Sequence, residues 1–196
     1  MKPSLVIIGL GNPGASYEKT RHNTGFQAAD VLAEEFGEGD LAPNRASEAS
    51  SGAGWKEKTK FNAFVMEGRI VTVPVLIAKP LTYMNRSGEA AKKMIDFYDL
   101  DPRSQILILC DDIDLELGET RLRDKGGPGT HNGLKSLVDV FGEDFPRLRI
   151  GIGAQPAGED LSNWVLSAPS KEEAEKIQEA VKTVPEMVKE FVLGNS

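Results

Sequence analysis

The chain of 196 residues contains two histidines, His22 and His131, and each is followed by an asparagine and shortly afterwards by a glycine. Histidine has the side chain whose unperturbed pKa lies nearest to neutral pH, so these two residues are the first candidates for a general base. A histidine beside a glycine-rich loop can equally well be structural. The surrounding motifs must therefore decide whether either ring takes part in catalysis.

Composition restricts the class of protein. A chain of this length is long enough to form one well-packed hydrophobic core, and no glycine- or proline-rich hinge divides it. We therefore expect a single globular domain over residues 1–196. The single cysteine, Cys110, excludes an intrachain disulfide and a cysteine-based zinc cluster. No apolar stretch approaches the roughly 18 residues of a membrane span, and the run at 5–8 is too short for a signal peptide. We expect a cytoplasmic protein without a membrane partner.

The formal net charge of −7 argues against a protein that coats nucleic acid non-specifically, because such binding depends on many lysine and arginine contacts to phosphate. A local basic patch remains compatible with this charge. Basic residues are concentrated in the third quarter of the chain: Arg121, Arg123, Lys125, Lys135, Arg147 and Arg149.

The pattern of apolar residues predicts an α/β fold with a twisted, mostly parallel mixed sheet flanked by helices. The predicted strands are 5–9, 61–66, 70–78, 106–110, 120–123 and 148–153, and the predicted helices are 24–36, 87–98, 132–141 and 170–193. Pro74 implies an edge position, a bulge or a break in its strand. Residues 37–59 are small and polar without a period, which predicts a mobile surface loop.

The central strand at 106–110 leads directly into acidic residues, Asp111, Asp112 and Asp114. Active-site groups of α/β folds lie just beyond such strand ends. Together with the two histidines these acids could ligate a cation, but their spacing matches no metal-binding motif. Cys110 could pair with His22 as a nucleophile, although its position in the strand favours a small buried apolar residue.

A glycine pattern at 9–14 matches G-x-G-x-x-G and follows a strand, as in dinucleotide-binding folds. The helix that should begin within that turn is delayed by Pro13 and by a polar stretch through Asn23. Glu34 and Glu35 follow the glycine turn at about the sequence separation expected for the acidic residue that binds the ribose. They fall on a predicted helix, however, rather than after a second strand. A nicotinamide-dependent oxidoreductase is therefore the least favoured interpretation.

Five short segments carry a specific resemblance. Gly-Leu-Gly-Asn-Pro-Gly at 9–14, Tyr-Glu-Lys-Thr-Arg-His-Asn-Thr-Gly at 17–25, Lys-Pro-Leu-Thr-Tyr-Met-Asn-Arg-Ser-Gly at 79–88, His-Asn-Gly-Leu at 131–134 and Arg-Leu-Arg-Ile-Gly-Ile-Gly at 147–153 occur in this order. Over residues 4 to about 166 the chain resembles bacterial-type peptidyl-tRNA hydrolases. The resemblance implies a monomeric esterase without metal, cofactor or covalent intermediate. It would cut the bond between a peptide and the 3′ ribose of tRNA and so recycle prematurely released peptidyl-tRNA.

The resemblance also assigns roles to single residues. It makes His22 the base that activates water and Asp111 the carboxylate that orients it. Tyr17 would line the same cleft. Three asparagines would position the peptide end and its carbonyl: Asn12, Asn85 and Asn132. The expected contacts to tRNA phosphates are Arg121, Arg123 and Arg149. His131 is expected beside a helix start rather than opposite an acid, and hence to matter less than His22.

Simpler roles remain open for the same residues. Asn12 before a proline could start a turn, and Asn85 and Asn132 could cap helices. The basic residues could form an ordinary solvated face, and a non-catalytic RNA-binding relative could use the same cleft for docking. Thr130 stands where the family commonly has glycine. A β-branched residue does not adopt a positive φ without strain, so the loop presenting Asn132 could differ in shape.

Overall fold

The computed structural model describes residues 2–38 and 54–194. Within them a seven-stranded sheet is formed by β1 (Leu5–Gly9), β2 (Lys56–Lys58), β3 (Ala63–Ile70), β4 (Val73–Pro80), β5 (Ile106–Asp112), β6 (Thr120–Arg123) and β7 (Arg147–Gly151). The α-helices are α1 (Thr24–Phe36), α2 (Ser87–Tyr98), α3 (Asn132–Phe141), α4 (Leu161–Val165) and α5 (Lys171–Gly194). Two short 3₁₀ helices, Arg21–Asn23 and Met84–Arg86, directly precede α1 and α2.

The strand order is β2-β3-β4-β1-β5-β7-β6. The central strands β4, β1, β5 and β7 are parallel, whereas the pairs β2 with β3, β3 with β4 and β6 with β7 are antiparallel. This confirms the predicted mixed sheet and places its parallel part in the centre. The loops that follow β1, β4 and β5 consequently meet at one edge of the sheet.

Helices cover both faces of the sheet centre, which explains why β1 and β5 are continuous apolar runs. Side chains alternate along β1. Leu5 and Ile7 pack into the cluster that contains the apolar faces of α1 and α5, and Val6 and Ile8 pack into the cluster with α2 and α3. In the described part of the chain no helix is both long enough and apolar enough to cross a membrane.

The predicted bounds of α1, α2, α3, β1 and β6 agree with the structure, and the other predicted strands and the last helix are shifted by a few residues at their ends. The predicted loop over 37–59 is wrong at both ends. Gly37 forms a β-bridge with Gly68, and Lys56–Lys58 pairs with β3. This edge strand is fully charged and exposed, so no apolar alternation could reveal it. Residues 39–53 lie outside the described residues.

Pro74 is the second residue of β4, an inner strand whose register with β3 is unbroken, so the predicted edge position, bulge or break is wrong. It lies opposite Arg69 of β3, and the pairing of β4 with β1 begins only at the next residue, where Val75 faces Leu5. The missing N–H of the proline thus falls just beyond the end of the central strand, where it interrupts no ladder.

Candidate active site

A cavity of about 820 Å³ lies at the edge of the sheet where the parallel strands end. The loop after β1 contributes Asn12 to its lining, the segment after β4 contributes Asn85, and β5 contributes Asp111. The loop between β6 and α3 contributes residues 125–131 to the lining. Basic side chains that line it are Arg123, Lys125, Lys135, Arg147 and Arg149. The structure thus assembles most of the predicted site residues around one space.

His22 and Asp111 form a buried pair in the wall of this cavity. His22 lies in the 3₁₀ helix before α1, and its Nδ1 is 3.0 Å from Oδ1 and 2.9 Å from Oδ2 of Asp111. Both residues are less than a tenth exposed. An ionised carboxylate only accepts hydrogen bonds, so Nδ1 donates its proton and Nε2 of the neutral ring keeps a lone pair. This is the arrangement of an oriented general base.

Burial and charge act in opposite directions on this pair. Burial disfavours the charged form of His22, but the charge of Asp111 and its hydrogen bond outweigh burial and raise the pKa of His22 above 6.5. Burial likewise opposes ionisation of Asp111, yet the neighbouring His22 and His131 rings hold the pKa of this carboxyl well below its usual range. Asp111 is therefore a carboxylate at neutral pH.

His131 also contacts Asp111, so the expectation that it does not face an acid was wrong. Its Nε2 lies 3.0 Å from Oδ1 of Asp111, and its Nδ1 accepts the backbone N–H of Leu134 at 3.2 Å as the N-cap of α3. With Nδ1 accepting, the proton of the neutral ring is on Nε2 and is donated to Asp111. Neither nitrogen of His131 is left to act as a base, whereas Nε2 of His22 is.

Asn12 is held by three hydrogen bonds to two residues. Its Oδ1 accepts the backbone N–H of Met84 at 2.8 Å, and its backbone exchanges two bonds of 2.9 Å with the side chain of Asn23. Because Oδ1 is occupied by an N–H group, the orientation of the amide is determined and Nδ2 faces the remaining direction. Asn12 can thus donate to a ligand carbonyl, and it is not merely the start of a turn.

Asn85 and Asn132 are exposed residues of the cavity lining. The helix-capping alternatives for both are wrong, because the N-cap of α2 is Arg86 and the side chain that caps α3 belongs to His131. Tyr17 does not belong to the lining itself. Its ring meets the ring of Tyr83 edge-on, with centroids 6.4 Å apart, beside the segment that carries Asn85.

Arginines occupy one face of the antiparallel pair β6 and β7. Arg121 faces Arg149 and Arg123 faces Arg147 in the register, so the four side chains share this face, here called the basic face. Arg121 is half exposed, pairs with Glu119 at 2.5 Å and lies outside the cavity lining. Arg123 is exposed and lines the cavity.

The other two arginines of the basic face are engaged within the protein. Arg149 is one-fifth exposed and forms an ion pair with Asp112. Arg147 is 2% exposed and donates to the carbonyl oxygens of Gly127 at 3.2 Å and Glu143 at 3.1 Å. It thereby ties the glycine-rich loop before α3 to the loop before β7.

The glycines at 9–14 serve packing. A Cβ at Gly9 would collide with the carbonyl of Gly25, and one at Gly11 would lie 2.6 Å from the ring of Phe26, so both glycines allow the start of α1 to lie against the end of β1. The helix begins at Thr24 rather than in the glycine turn. The glycines therefore allow the strand and the helix to approach closely, and the dinucleotide-binding interpretation is wrong.

The remaining alternatives concern Cys110 and a metal. Cys110 is fully buried, and burial raises the pKa of its thiol, which agrees with a structural role in the strand. His22, Asp111 and His131 offer ligand atoms within 4.8 Å of one another, the spacing of a group that could hold a metal ion. Both rings already use the facing nitrogen to bond the carboxylate.

Two features of the loops were not foreseen correctly. Thr130 does not have a positive φ. Gly126 and Gly129 provide those conformations, so threonine fits the loop. Arg21, next to His22, was not predicted as a site residue. Its guanidinium binds Glu173 at 2.9 Å and stacks 3.5 Å above the ring of Trp164, which fixes the His22 turn against α4 and α5. The direct sequence neighbourhood of His22 was the available signal.

Comparisons with known proteins agree with this arrangement. A family model described as peptidyl-tRNA hydrolase matches residues 6–195. The chain is similar to the peptidyl-tRNA hydrolase of Bacillus velezensis, with 46% identity over 92% of this chain and 88% of that protein. It is 44% identical to that of Bacillus subtilis over 90% of this chain and 86% of the relative.

A solved structure supports the same assignment through the fold. The crystal structure of peptidyl-tRNA hydrolase from Acinetobacter baumannii matches with a TM-score of 0.85 at 36% identity, covering 99% of this chain and 91% of that one. Sequence and fold thus agree over almost the whole length. The chain belongs to the peptidyl-tRNA hydrolase family.

Proposed function

We propose that this chain hydrolyses peptidyl-tRNA by cutting the ester bond between the peptide and the 3′ ribose, which recycles the tRNA. The observation that carries this proposal is the buried Asp111–His22 pair, which leaves Nε2 of His22 as a base in the cavity wall. Membership of the family supports the reaction, and the relatives named above are peptidyl-tRNA hydrolases.

His22 takes a proton from water in the first step. The oxygen of that water attacks the ester carbonyl, and the imidazolium that forms is stabilised by the negative charge of Asp111. Asp111 stays ionised throughout, because its pKa lies far below neutral pH. His131 holds the same carboxylate from the other side and thereby positions it.

Nδ2 of Asn12 donates to the carbonyl oxygen as negative charge develops on it. This role follows from the fixed Oδ1, which is bound to the backbone of Met84. Asn85 and Asn132 offer further amides to the peptide backbone. When the tetrahedral intermediate collapses, the bond from carbon to the ribose oxygen breaks, and His22 returns its proton to that oxygen. The products are a free peptide carboxyl and tRNA.

The phosphates of tRNA bind at the basic face, and Arg123 is its exposed member in the cavity. Arg121 and Arg149 can add to this contact by exchanging their acidic partners, Glu119 and Asp112, for phosphate. A local basic face lets a protein of net charge −7 bind an acidic substrate. The monomeric state and the cytoplasmic location stay predictions from the sequence.

Release of N-acetyl amino acid from N-acetylaminoacyl-tRNA, measured with a chelator present, tests the proposal. We expect turnover by the wild-type protein and almost none by His22→Ala. The proposal fails when the wild-type protein releases nothing, or when the chelator abolishes the release.

A further inference from the structure

Arg21 carries a buried guanidinium directly before the proposed base, and the residue is 4% exposed. One terminal nitrogen donates to Oγ of Ser167 at 2.5 Å and to the carbonyl oxygen of Ala168 at 3.2 Å, and the other donates to Glu173 at 2.9 Å. The group also lies 3.5 Å above the ring of Trp164. A buried charge is costly unless it is paired and hydrogen-bonded, so these contacts confine the planar group to one position.

The partners of Arg21 are themselves fixed. Oε2 of Glu173 also accepts the N–H of Ser170 at 2.7 Å, and Oγ of Ser170 accepts the N–H of Glu173 at 3.3 Å. This reciprocal pair is a capping box at the start of α5. Ser167 is held at the end of α4, where its Oγ donates to the carbonyl oxygen of Trp164 at 2.7 Å. The guanidinium is therefore joined to the ends of two helices.

The backbone of Arg21 attaches the turn that carries His22. Its N–H donates to the carbonyl oxygen of Ser167 at 3.1 Å, and its own carbonyl oxygen accepts the hydroxyl of Thr24 at 2.7 Å. Thr20, which precedes the 3₁₀ helix of residues 21–23, caps it with no side-chain bond. The position of this short helix, and of the imidazole on it, thus depends on Arg21.

Arg21 does not touch the space in which the reaction takes place. Among the described residues that line the cavity are His22 and Asn12, but not Arg21. Its charge is paired with Glu173, away from the lining. Any effect of Arg21 on the reaction must therefore pass through a neighbour, and the next residue in the chain is the proposed base.

We propose that Arg21 is a positioning residue for His22. It holds the 3₁₀ helix against α4 and α5, so that Nδ1 of His22 stays bonded to Asp111 and Nε2 keeps the place from which it takes the proton of water. This inference rests on the proposed function. A displacement of about 1 Å can lower the rate of a catalysed step about 100-fold, so a small shift of the turn lowers kcat. KM is retained, because Arg21 does not contact the substrate.

Lys79 provides a matched control on β4, outside the cavity lining. It is 2% exposed, pairs with Asp30 at 2.6 Å and lies 4.4 Å above the ring of Trp55. Arg21→Met and Lys79→Met each remove a buried cation and keep an apolar stem, so both should lower Tm. Only Arg21→Met should lower kcat for N-acetylaminoacyl-tRNA, by about 5- to 50-fold with KM unchanged.

Two further variants separate positioning from stability. In Arg21→Lys the ammonium can pair with Glu173 but lacks the planar fork that also binds Ser167, so Tm should recover in part while kcat stays low. This variant also decides the question if Arg21→Met does not fold. In a His22→Ala background, Arg21→Met should change the residual single-turnover rate less than 2-fold, because the group through which it acts is already absent.

The remaining outcomes overturn the inference. Equal losses of kcat in Arg21→Met and Lys79→Met would show that activity only follows stability, and kcat that recovers together with Tm in Arg21→Lys would show the same. A rise in KM at unchanged kcat would mean that Arg21 shapes the wall formed by α4. A further loss in the His22→Ala background would mean that it acts through another group. If the wild-type protein and Lys79→Met release no N-acetyl amino acid, the proposed function itself fails, which the same assay shows separately.

Discussion

The two ends of the cavity differ in how their polar groups are held. At one end His22, Asp111 and Asn12 are buried, and each is bonded to a partner on another part of the fold. At the other end Arg123 lines the cavity and lies exposed on the edge strand β6, and Arg121 lies exposed on the same strand outside the lining. Proton transfer requires atoms at fixed positions, whereas attraction of phosphate requires only charge of the right sign at the surface. Substitutions at the first end should therefore change kcat, and substitutions at the second should change KM.

The largest effect is expected for His22→Ala. Loss of a general base lowers kcat by about 10² to 10⁴-fold, while affinity for deacylated tRNA should stay unchanged because the ring is not a phosphate contact. Single-turnover rates and filter binding measure the two quantities.

His131→Ala is the matched control, because it removes the other ring bound to Asp111 and leaves Nε2 of His22 in place. Loss of one hydrogen bond predicts a decrease of about 2- to 10-fold. A larger loss of kcat in His131→Ala than in His22→Ala would show that His22 is not the base.

The next effect concerns pH. In the wild-type protein kcat/KM should fall as pH falls through the raised pKa of His22, above 6.5, since the imidazolium accepts no proton. Asp111→Asn removes the charge that raises this pKa and leaves the burial that lowers it. The acidic limb of the profile should therefore move to lower pH, and the maximal rate should drop because the imidazolium loses its counter-charge. A limb that stays in place would show that Asp111 does not control the titration.

The sequence predicted the position of Asp111 at the sheet edge for a physical reason. An uninterrupted apolar run at 106–110 is typical of a central strand, and the acid that follows must lie at the sheet edge with the loop after the first strand. The pairing of His22 with Asp111 came from the family resemblance, and the strand pattern placed only Asp111 at that edge. The contact of Asp111 with His131 could not be foreseen, because it depends on the path of the loop between β6 and α3.

The same limit applies to the hydrogen bond from Met84 to Asn12 and to the pairing of Arg149 with Asp112. Each joins groups from different loops or strands, and periodicity carries no information on side-chain partners between elements. The strand Lys56–Lys58 escaped prediction for another reason, since its charged residues give no apolar pattern.

Arg147 has features of both groups, because it belongs to the basic face by register but is buried like His22 and Asp111. Arg147→Ala leaves the carbonyl oxygens of Gly127 and Glu143 without their donor and should lower the free energy of unfolding by about 1–3 kcal/mol. Urea denaturation measures this loss. The salt dependence of KM should keep its slope, and a shallower slope would show that Arg147 reaches phosphate.

The smallest effects are expected on β6, at Arg123, which lies opposite Arg147 in the register, and at Arg121. Arg123→Ala should raise KM for tRNA substrates and reduce the slope of log KM against log salt by about one phosphate contact, with kcat and stability retained. A small ester that lacks the tRNA body should be cleaved equally by the variant and the wild-type protein, because it does not reach the basic face. Arg121→Ala should change KM less, since Arg121 pairs with Glu119 outside the cavity. Loss of kcat on both substrates with an unchanged salt slope would mean that Arg123 supports the glycine-rich loop, and the distinction between a catalytic end and a charged end would then fail.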